Sequence, residues 1–528
     1  STQAKTLFPY TTLFRSGQSA FNIELKMCDQ LPPREKLIPL AAELFSQTGV
    51  FTMWREARTE KTESAIIESS EEAGGRFFFH MQVAAFRVDA EAGKVIGLIT
   101  PQALEYPHIL ANTYALFALL LLLRYEPAGL TGPLAPLLIV LCGGLAGWSV
   151  YACSGMSVGT GAKVQARLVA LAGSRRAGLW LLGAAYAGVL ARLVQLGLYR
   201  HHALASKVFD LGIYDNLMWN NLHGRVLGSA FARGGTHVMA HVDPVLLLLT
   251  PIYALAPGAE VMIVVQAAVV LSGALPVFLL AQRRLGRAWL SLVLGLAYLL
   301  HPSVHGAVLF DVHSLALAAP LCLWAIDLLE RERWWGYAAM VGLLLATRED
   351  LALWCVGLGL YAGLGRGAWR VGAATVGAAL AYFTAIKWLV QLDPYPYEKR
   401  YAAFMPGGEG GFSAVAASLV SNPWHALIEV LTGPKLVFLA VVLAPLMLLP
   451  LLAGRRWWTF GFGLAFTLLA SNAMNYAPLS HYTVMLFPAL FAATPAAIAR
   501  GSRWVGRVGG DVDRAVRALG VAVLVAAS

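Results

Sequence analysis

The chain has 528 residues, of which 58% are hydrophobic and 13% are charged. A soluble domain carries about 25% charged residues, so this composition excludes an ordinary soluble protein and predicts an all-α, polytopic bundle of transmembrane helices. The net charge of +10 does not indicate a nucleic-acid partner. Lys and Arg form short clusters between apolar segments, which is the pattern that orients membrane helices.

The N-terminal region differs from the rest of the chain. Residues 6–16 read TLFPYTTLFRS and resemble a translated sequencing adapter, so we expect residues 1–16 to be an artefact. We expect residues 17–105 to form a small soluble segment of uncertain origin. Its sequence predicts an amphipathic helix near Arg34–Phe45 and a β-hairpin of Phe77–Val88 and Lys94–Ile99. Residues 106–176 predict two additional transmembrane helices. Residues 177–528 predict the polytopic membrane core, which we expect to be truncated at its C-terminus.

Apolar segments predict about 11–13 helices in all. We place them at 107–123, 133–153, 177–199, 260–281, 287–301, 313–329, 334–347, 351–366, 369–391, 435–453, 457–472, 483–499 and 514–528. Val242–Ala256 is too short for a span and is interpreted as a re-entrant or juxtamembrane helix in the first outer loop. With this assignment the later basic clusters, such as Arg283-Arg284, fall on the cytoplasmic side of a plasma (inner) membrane.

The same topology collects polar residues on the extracytoplasmic face, in loops at 200–243, 301–312, 347–350, 392–434 and 472–482. The candidate site residues in or beside these loops are Asp210, Asp215, His241, Asp243, Asp311, His313, Arg348, Glu349, Asp350, Lys399 and Arg400. Polar chemistry is therefore expected on one side of the membrane.

Each acid in these loops has two interpretations. Asp210 and Asp215 follow the 177–199 helix, where a carboxylate suits a general base that acts on a lipid-linked substrate. Asp210 is equally well placed to cap an amphipathic surface helix. Asp311 is positioned either to cap the 313–329 helix or to bind a metal or sugar hydroxyls.

Two further clusters are open to more than one reading. His237 and His241 are spaced to share a helix face, with Asp243 nearby, and could hold zinc or form local hydrogen bonds. The identity of any divalent metal stays unknown.

Arg348-Glu349-Asp350 joins two short apolar segments. The three charges either neutralise one another or bind phosphate through Arg348. Lys399 and Arg400 add cations, and the glycine-rich residues 407–411 suit a mobile lid.

Four segments carry a resemblance to a known family. FDLGIYDNLMWNNLHGR, HVDPVLLLLTPIYAL, LFDVHSLALAAPL and TREDLALWCVGLGLY, in that order, resemble the uncharacterised bacterial membrane family called domain of unknown function 2079. That family in turn resembles the GT-C glycosyltransferases, which use polyprenyl-phosphate-linked sugars. The resemblance implies that Asp210 matches the first-loop acid, Val242–Ala256 the juxtamembrane helix and Asp311 a later acid. The usual Asp-Glu pair is replaced by Asp210, with Asp215 further on.

The resemblance implies an inverting glycosyl transfer at the outer membrane face. Asp210 or Asp215 would be the base, and Arg348 with Lys399 or Arg400 would hold the lipid phosphate. The alternatives are a transporter or flippase of a polar lipid intermediate, which performs no chemistry, and a non-catalytic accessory membrane subunit. Membrane lipids and a polyprenyl-phosphate-linked sugar are the expected partners.

Overall fold

The computed structural model describes residues 25–27, 76–80, 85–89, 94–98, 140–141, 143–144, 173–206, 208–389, 397–405 and 411–527. The chain forms two compact units, residues 1–164 with 517–522 and residues 165–516 with 523–528. The adapter-like residues 1–16, the expected helices near 34–45 and at 107–123, most of the helix at 133–153 and most of the glycine-rich lid lie outside the described residues.

The first unit contains a four-stranded antiparallel sheet in the order β1 to β4. Its strands are β1 (Leu25–Met27), β2 (Arg76–His80), β3 (Ala85–Asp89) and β4 (Lys94–Leu98). Strands β3 and β4 pair with Asp89 opposite Lys94, which is the hairpin expected from the turn between them. The arm expected as one strand, Phe77–Val88, is instead divided between β2 and β3.

The second unit is helical, and the expected all-α bundle is confirmed for it. From residue 175 onward the α-helices are α1 (Arg175–His202), α2 (Ile213–Leu222), α3 (Thr250–Tyr253), α4 (Ala259–Ser272), α5 (Ala274–Leu285), α6 (Ala288–Leu300), α7 (Pro302–Leu309), α8 (Ala318–Glu330), α9 (Trp334–Thr347), α10 (Leu351–Leu360), α11 (Trp369–Leu389), α12 (Gly411–Ser421), α13 (Pro423–Val430), α14 (Gly433–Leu443), α15 (Trp457–Leu468), α16 (Phe487–Arg507) and α17 (Val512–Ala527).

Shorter helical turns connect these helices. Two are π-helical, Val208–Gly212 and Tyr361–Gly365; those with 3₁₀ geometry are Arg233–Gly235, His237–Met239, Pro244–Leu249, Ser314–Leu317, Tyr397–Phe404, Ala444–Leu446, Leu449–Leu452, Gly454–Arg456, Ala473–Tyr476 and His481–Met485.

Among the described residues, three helices are long and apolar enough to cross a membrane. They are α1, the continuous stretch Ala259–Leu285 and Trp369–Trp388, and the number rises to five if each of two bent helix pairs is one span. The larger count of 11–13 includes segments outside the described residues and shorter apolar helices, so it stays a prediction. The stretch Pro244–Tyr253 is one of these shorter helices, too short to span a bilayer, which fits the expected juxtamembrane helix.

Two segments differ from the expectation. The loop expected at 392–434 contains α12 and α13. Asn422 caps the start of α13, where its Oδ1 accepts a 3.1 Å hydrogen bond from His425 N. The side chains of Phe404, Met405 and Val415 form a small buried cluster that holds α12. The single helix expected at 435–453 ends at Leu443. Pro445 and Pro450 lack amide donors, and the chain turns at Met447 and Leu448, both with positive φ.

The helices connect two polar ends of this unit. Helix α9 rises about 21 Å over its 14 residues at 1.5 Å per residue, from Arg333 to Arg348. We call the end that holds His237, His241, His313 and His481 the histidine end. The opposite end, which holds Arg283, Arg284, Arg331, Arg366 and Arg456, is the arginine end.

Candidate functional site

Asp210 pairs with a histidine from a distant loop. It lies in the π-helical turn Val208–Gly212, immediately before α2. Its Oδ1 is 3.3 Å from Nε2 of His313, with 22% of the Asp210 side chain and 13% of the His313 side chain exposed. The pair is therefore mostly enclosed but still reachable from solvent.

Gln266 fixes the loop that carries His313. It lies in the apolar helix α4 and is 2% exposed. Its Nε2 donates to the carbonyls of Ala307, Val308 and Phe310 at 3.2–3.3 Å, and its Oε1 accepts from His313 N at 2.8 Å. Gln266 was not among the residues predicted from the sequence, although a polar residue inside an apolar span is a recognised signal of function.

His313 stacks on His481. The ring centroids are 3.7 Å apart and the planes are 16° from parallel. Burial lowers the pKa of His313, against the opposing effect of Asp210. Burial, followed by the positive charges of His313, Arg348 and Arg400, lowers the pKa of His481 well below its ordinary value. Both nitrogens of His481 lack a hydrogen-bond partner within the described part of the chain.

A pair of arginines flanks this stack. Arg348 is 1% exposed and its Nη2 donates to Asp350 Oδ2 at 2.8 Å. Nη1 of Arg400 lies 3.8 Å from the same oxygen. The guanidinium carbons of Arg348 and Arg400 are 5.4 Å and 5.2 Å from the ring centroid of Tyr482. Two cations thus lie beside one carboxylate and one aromatic ring.

Glu349 connects the turn Arg348–Asp350 to the loop that carries His241 and Val242. His241 Nδ1 donates to its Oε1 at 2.8 Å, and Val242 N donates to its Oε2 at 2.8 Å. Burial raises the pKa of Glu349, but the stronger combined effect of His241, its hydrogen bond and Arg348 lowers that pKa below its ordinary value. Glu349 is therefore an ionised structural tie between two loops.

His237 and Asp243 form a buried pair next to this tie. His237 Nε2 is 3.3 Å from Asp243 Oδ2, and the two side chains are 3% and 0% exposed. Tyr214 packs edge-on against His237 and His313 and bonds Ser314 Oγ at 3.1 Å. Among the described residues, no group of three or more His, Cys, Asp and Glu side chains is arranged to hold a metal ion. The zinc interpretation of His237, His241 and Asp243 gains no support.

The remaining expected residues have other positions. Asp215 accepts a 2.7 Å hydrogen bond from Tyr253, on the side of α2 that packs against Pro244–Tyr253, so its contact differs from that of Asp210. Lys399 is exposed. Asp311 precedes His313 in the same loop, and the expectation that its carboxylate lies within roughly 10 Å of Asp210 stays a prediction.

These contacts join the five loops expected on one face. Asp210 meets His313, His241 meets Glu349, Arg400 meets Asp350, and His313 meets His481. Several buried polar atoms at this end have no hydrogen-bond partner among the described residues, including Arg348 Nε, Asp350 Oδ1 and both oxygens of Asp243. Buried polar atoms without partners are costly and are concentrated where a ligand or water binds. The Nε of Arg348 is one such atom, and as a cationic donor it suits an anionic ligand.

The comparisons with known proteins agree with the membrane character of the chain. The family model described as "Predicted membrane protein (DUF2079)" matches residues 200–527, which includes every residue of the histidine end described above. No curated protein and no solved structure matches the chain.

Proposed function

We propose that this chain, which belongs to the DUF2079 family of predicted membrane proteins, transfers a sugar from a polyprenyl-phosphate donor at the membrane surface. One observation carries the proposal. The buried arginine Arg348, with Arg400 and Tyr482, lies in the same cluster as the partly exposed Asp210–His313 pair. An anion-binding group and a proton acceptor in one enclosed site are the two elements that such a transfer requires.

The arginines would bind the leaving group. A guanidinium matches phosphate oxygens through paired hydrogen bonds, and the Nε of Arg348 has no partner among the described residues. When the bond between the sugar C1 and the phosphate oxygen breaks, its electron pair stays on the phosphate. The added negative charge strengthens the bond to Arg348 and Arg400, so these side chains stabilise the transition state more than the bound donor.

Asp210 would act as the base. A hydroxyl oxygen of the acceptor attacks C1 from the face opposite the phosphate, and the carboxylate of Asp210 takes the hydroxyl proton. His313 Nε2, at 3.3 Å, orients the carboxylate and is itself held by Gln266 through its backbone N–H. Asp215 is the less suitable base, because it contacts Tyr253 and not the histidine that stacks beside the arginine pair. In our proposal the reaction takes place at the extracytoplasmic face.

Sugar transfer in reconstituted membranes tests the proposal directly. The purified full chain is supplied with a polyprenyl-phosphate-linked sugar and an acceptor alcohol, and release of polyprenyl phosphate is measured. Asp210→Asn should reduce the rate by about 10²–10⁴-fold at an unchanged thermal unfolding midpoint, and Asp215→Asn is the matched control that should reduce it far less. Equal effects of the two variants would exclude Asp210 as the base.

A second arm separates the enzyme from a transporter or flippase. A transporter moves the lipid-linked sugar between leaflets and leaves the C1–phosphate bond intact. Leaflet exchange without release of polyprenyl phosphate by the unmodified chain would overturn the proposed transfer. Arg348→Lys should weaken donor binding in either case, because the ammonium cannot reproduce the paired geometry of a guanidinium.

A further inference from the structure

The arginine end carries more positive charge than its own acids neutralise. Arg283, Arg284, Arg331, Arg366 and Arg456 contact carboxylates there, whereas the acids they contact are Asp327, Glu330 and Glu332. Several helices meet at this point: α5 supplies Arg283 and Arg284, α8 ends at Glu330, and the turn Gly454–Arg456 precedes α15. A cation excess is thus built into a junction of helices.

Glu330 is the centre of the cluster. Its side chain is 1% exposed and its Oε2 contacts Arg284 and, at 2.7 Å, Arg283. Its Oε1 accepts from the Tyr361 hydroxyl at 2.7 Å and is 3.4 Å from Arg456 Nε. Because one carboxylate is shared by several guanidinium groups, each of these groups keeps donors for another anion.

The arginines are arranged to receive such an anion. Arg284 and Arg456 are only 17% and 19% exposed, so desolvated guanidinium groups border the surface. The Nε of Arg284 has no hydrogen-bond partner in the part of the chain that the structure describes. A buried donor without a partner costs about 1–3 kcal/mol, a cost that a bound anion removes.

Exposed tryptophans indicate where this cluster lies relative to the bilayer. Five of them lie within four residues of Arg331, Arg366 or Arg456 in the sequence: Trp334, Trp335, Trp369, Trp457 and Trp458. Exposed Trp side chains concentrate at the level of the lipid headgroups. The arginine end therefore lies at the depth of lipid phosphates, and the anion nearest to it in a membrane is a headgroup.

We infer that the arginine end binds the phosphate of an anionic phospholipid, with Arg284 and Arg456 as its principal ligands. Basic pockets between transmembrane helices bind anionic headgroups by this chemistry, which is independent of the sugar transfer proposed at the histidine end. A headgroup without net charge is held more weakly, because its own cation opposes the excess of arginines.

The full chain in lipid nanodiscs tests this inference. Phosphatidylglycerol should raise the thermal unfolding midpoint relative to phosphatidylcholine alone, and should be retained in native mass spectra of the detergent-extracted protein. Arg284→Lys and Arg456→Lys keep the charge that Glu330 needs but lose the planar fork. Each should weaken phosphatidylglycerol binding by about tenfold, or roughly 1.4 kcal/mol. Arg503→Lys, an exposed residue of α16, is the matched control and should bind as the unmodified chain does.

The other possible outcomes either overturn the inference or show that the bound phosphate does not come from a lipid. Equal stabilisation by phosphatidylcholine and phosphatidylglycerol would exclude an anion site. An equal loss of phosphatidylglycerol binding in Arg503→Lys would show that binding depends on general surface charge and not on this site. If soluble glycerophosphate stabilises the chain in phosphatidylcholine nanodiscs and phosphatidylglycerol adds nothing, the site takes a free phosphate and the lipid is excluded. Loss of sugar transfer alone would not bear on this site, because the readouts here are lipid retention and thermal stability.

Discussion

The rings of His313 and His481 stack in parallel, with centroids 3.7 Å apart, although one precedes the turn Ser314–Leu317 and the other begins the turn His481–Met485. Positive charge on both rings would be unfavourable at this separation. Asp210 raises the pKa of His313, whereas Arg348 and Arg400 lower the pKa of His481.

We expect the stability of the fold to decrease as the pH falls below about 6.5, the ordinary pKa of histidine. The pKa values of His313 and His481 are both lowered by burial. The unfolded chain therefore binds protons in a pH range where the folded chain does not, and unfolding becomes easier. Each such histidine contributes up to about 1.4 kcal/mol per pH unit. Thermal unfolding at several pH values between 7.5 and 5 measures how the free energy of unfolding changes with pH.

Two variants test whether the His313–His481 stack causes this dependence of stability on pH. His481→Gln should make the dependence on pH shallower, whereas His223→Gln, at an exposed ring, should leave it as it is. A slope that stays the same in His481→Gln would show that other groups are responsible.

Glu349→Gln should destabilise the fold strongly. The neutral amide cannot accept both hydrogen bonds from His241 and Val242, and Arg348 loses a buried negative neighbour. Removing one member of a buried ion pair costs about 3–5 kcal/mol. Glu332→Gln is the control, because its carboxylate is 66% exposed and its loss should cost less than about 1 kcal/mol. Denaturant titration in detergent compares the two, and similar free energies of unfolding would contradict the assigned role of Glu349.

Gln266→Leu should loosen the loop that carries His313. Three carbonyls and one backbone N–H lose their partner inside an apolar environment, at a cost of about 2 kcal/mol or more. Sugar transfer should also fall, since His313 orients Asp210. Gln195→Leu, on the exposed side of α1 with Arg192 as its partner, should change both quantities little. Normal activity of Gln266→Leu would show that the loop holds its position by packing alone.

Thiol labelling in intact cells tests the orientation. We expect a maleimide that does not cross membranes to label His223→Cys, at an exposed position of the histidine end, and to spare Glu332→Cys, at an exposed position of the arginine end. The basic clusters favour the cytoplasmic side for the arginine end. The reverse pattern of labelling would place the histidine end on the cytoplasmic side and exclude a reaction at the extracytoplasmic face.

Several parts of the site could be predicted from the residues. Arg348-Glu349-Asp350 stood out because three charges between apolar segments must pair or line a cavity, and the structure pairs Arg348 with Asp350 and Glu349 with His241. Asp210 stood out as a carboxylate after a long apolar helix. The polar Gln266 was visible inside an apolar helix, but its role and the stack of His313 on His481 could not be predicted, because each depends on a contact with a loop distant in sequence.

The sequence by itself determined the class of the protein and the positions of most helices. A long run of apolar residues can be stable in a bilayer only if its backbone groups bond within the segment, so local composition was sufficient for α1 and for Ala259–Leu285. Only the tertiary structure decided which polar residues meet. Side chains at loop ends acquire partners through helix packing, and the hydrophobic pattern that directs this packing does not specify which loop faces which. The pairing of Asp210 with His313 and the sharing of Glu330 among arginines therefore follow from the arrangement of the helices.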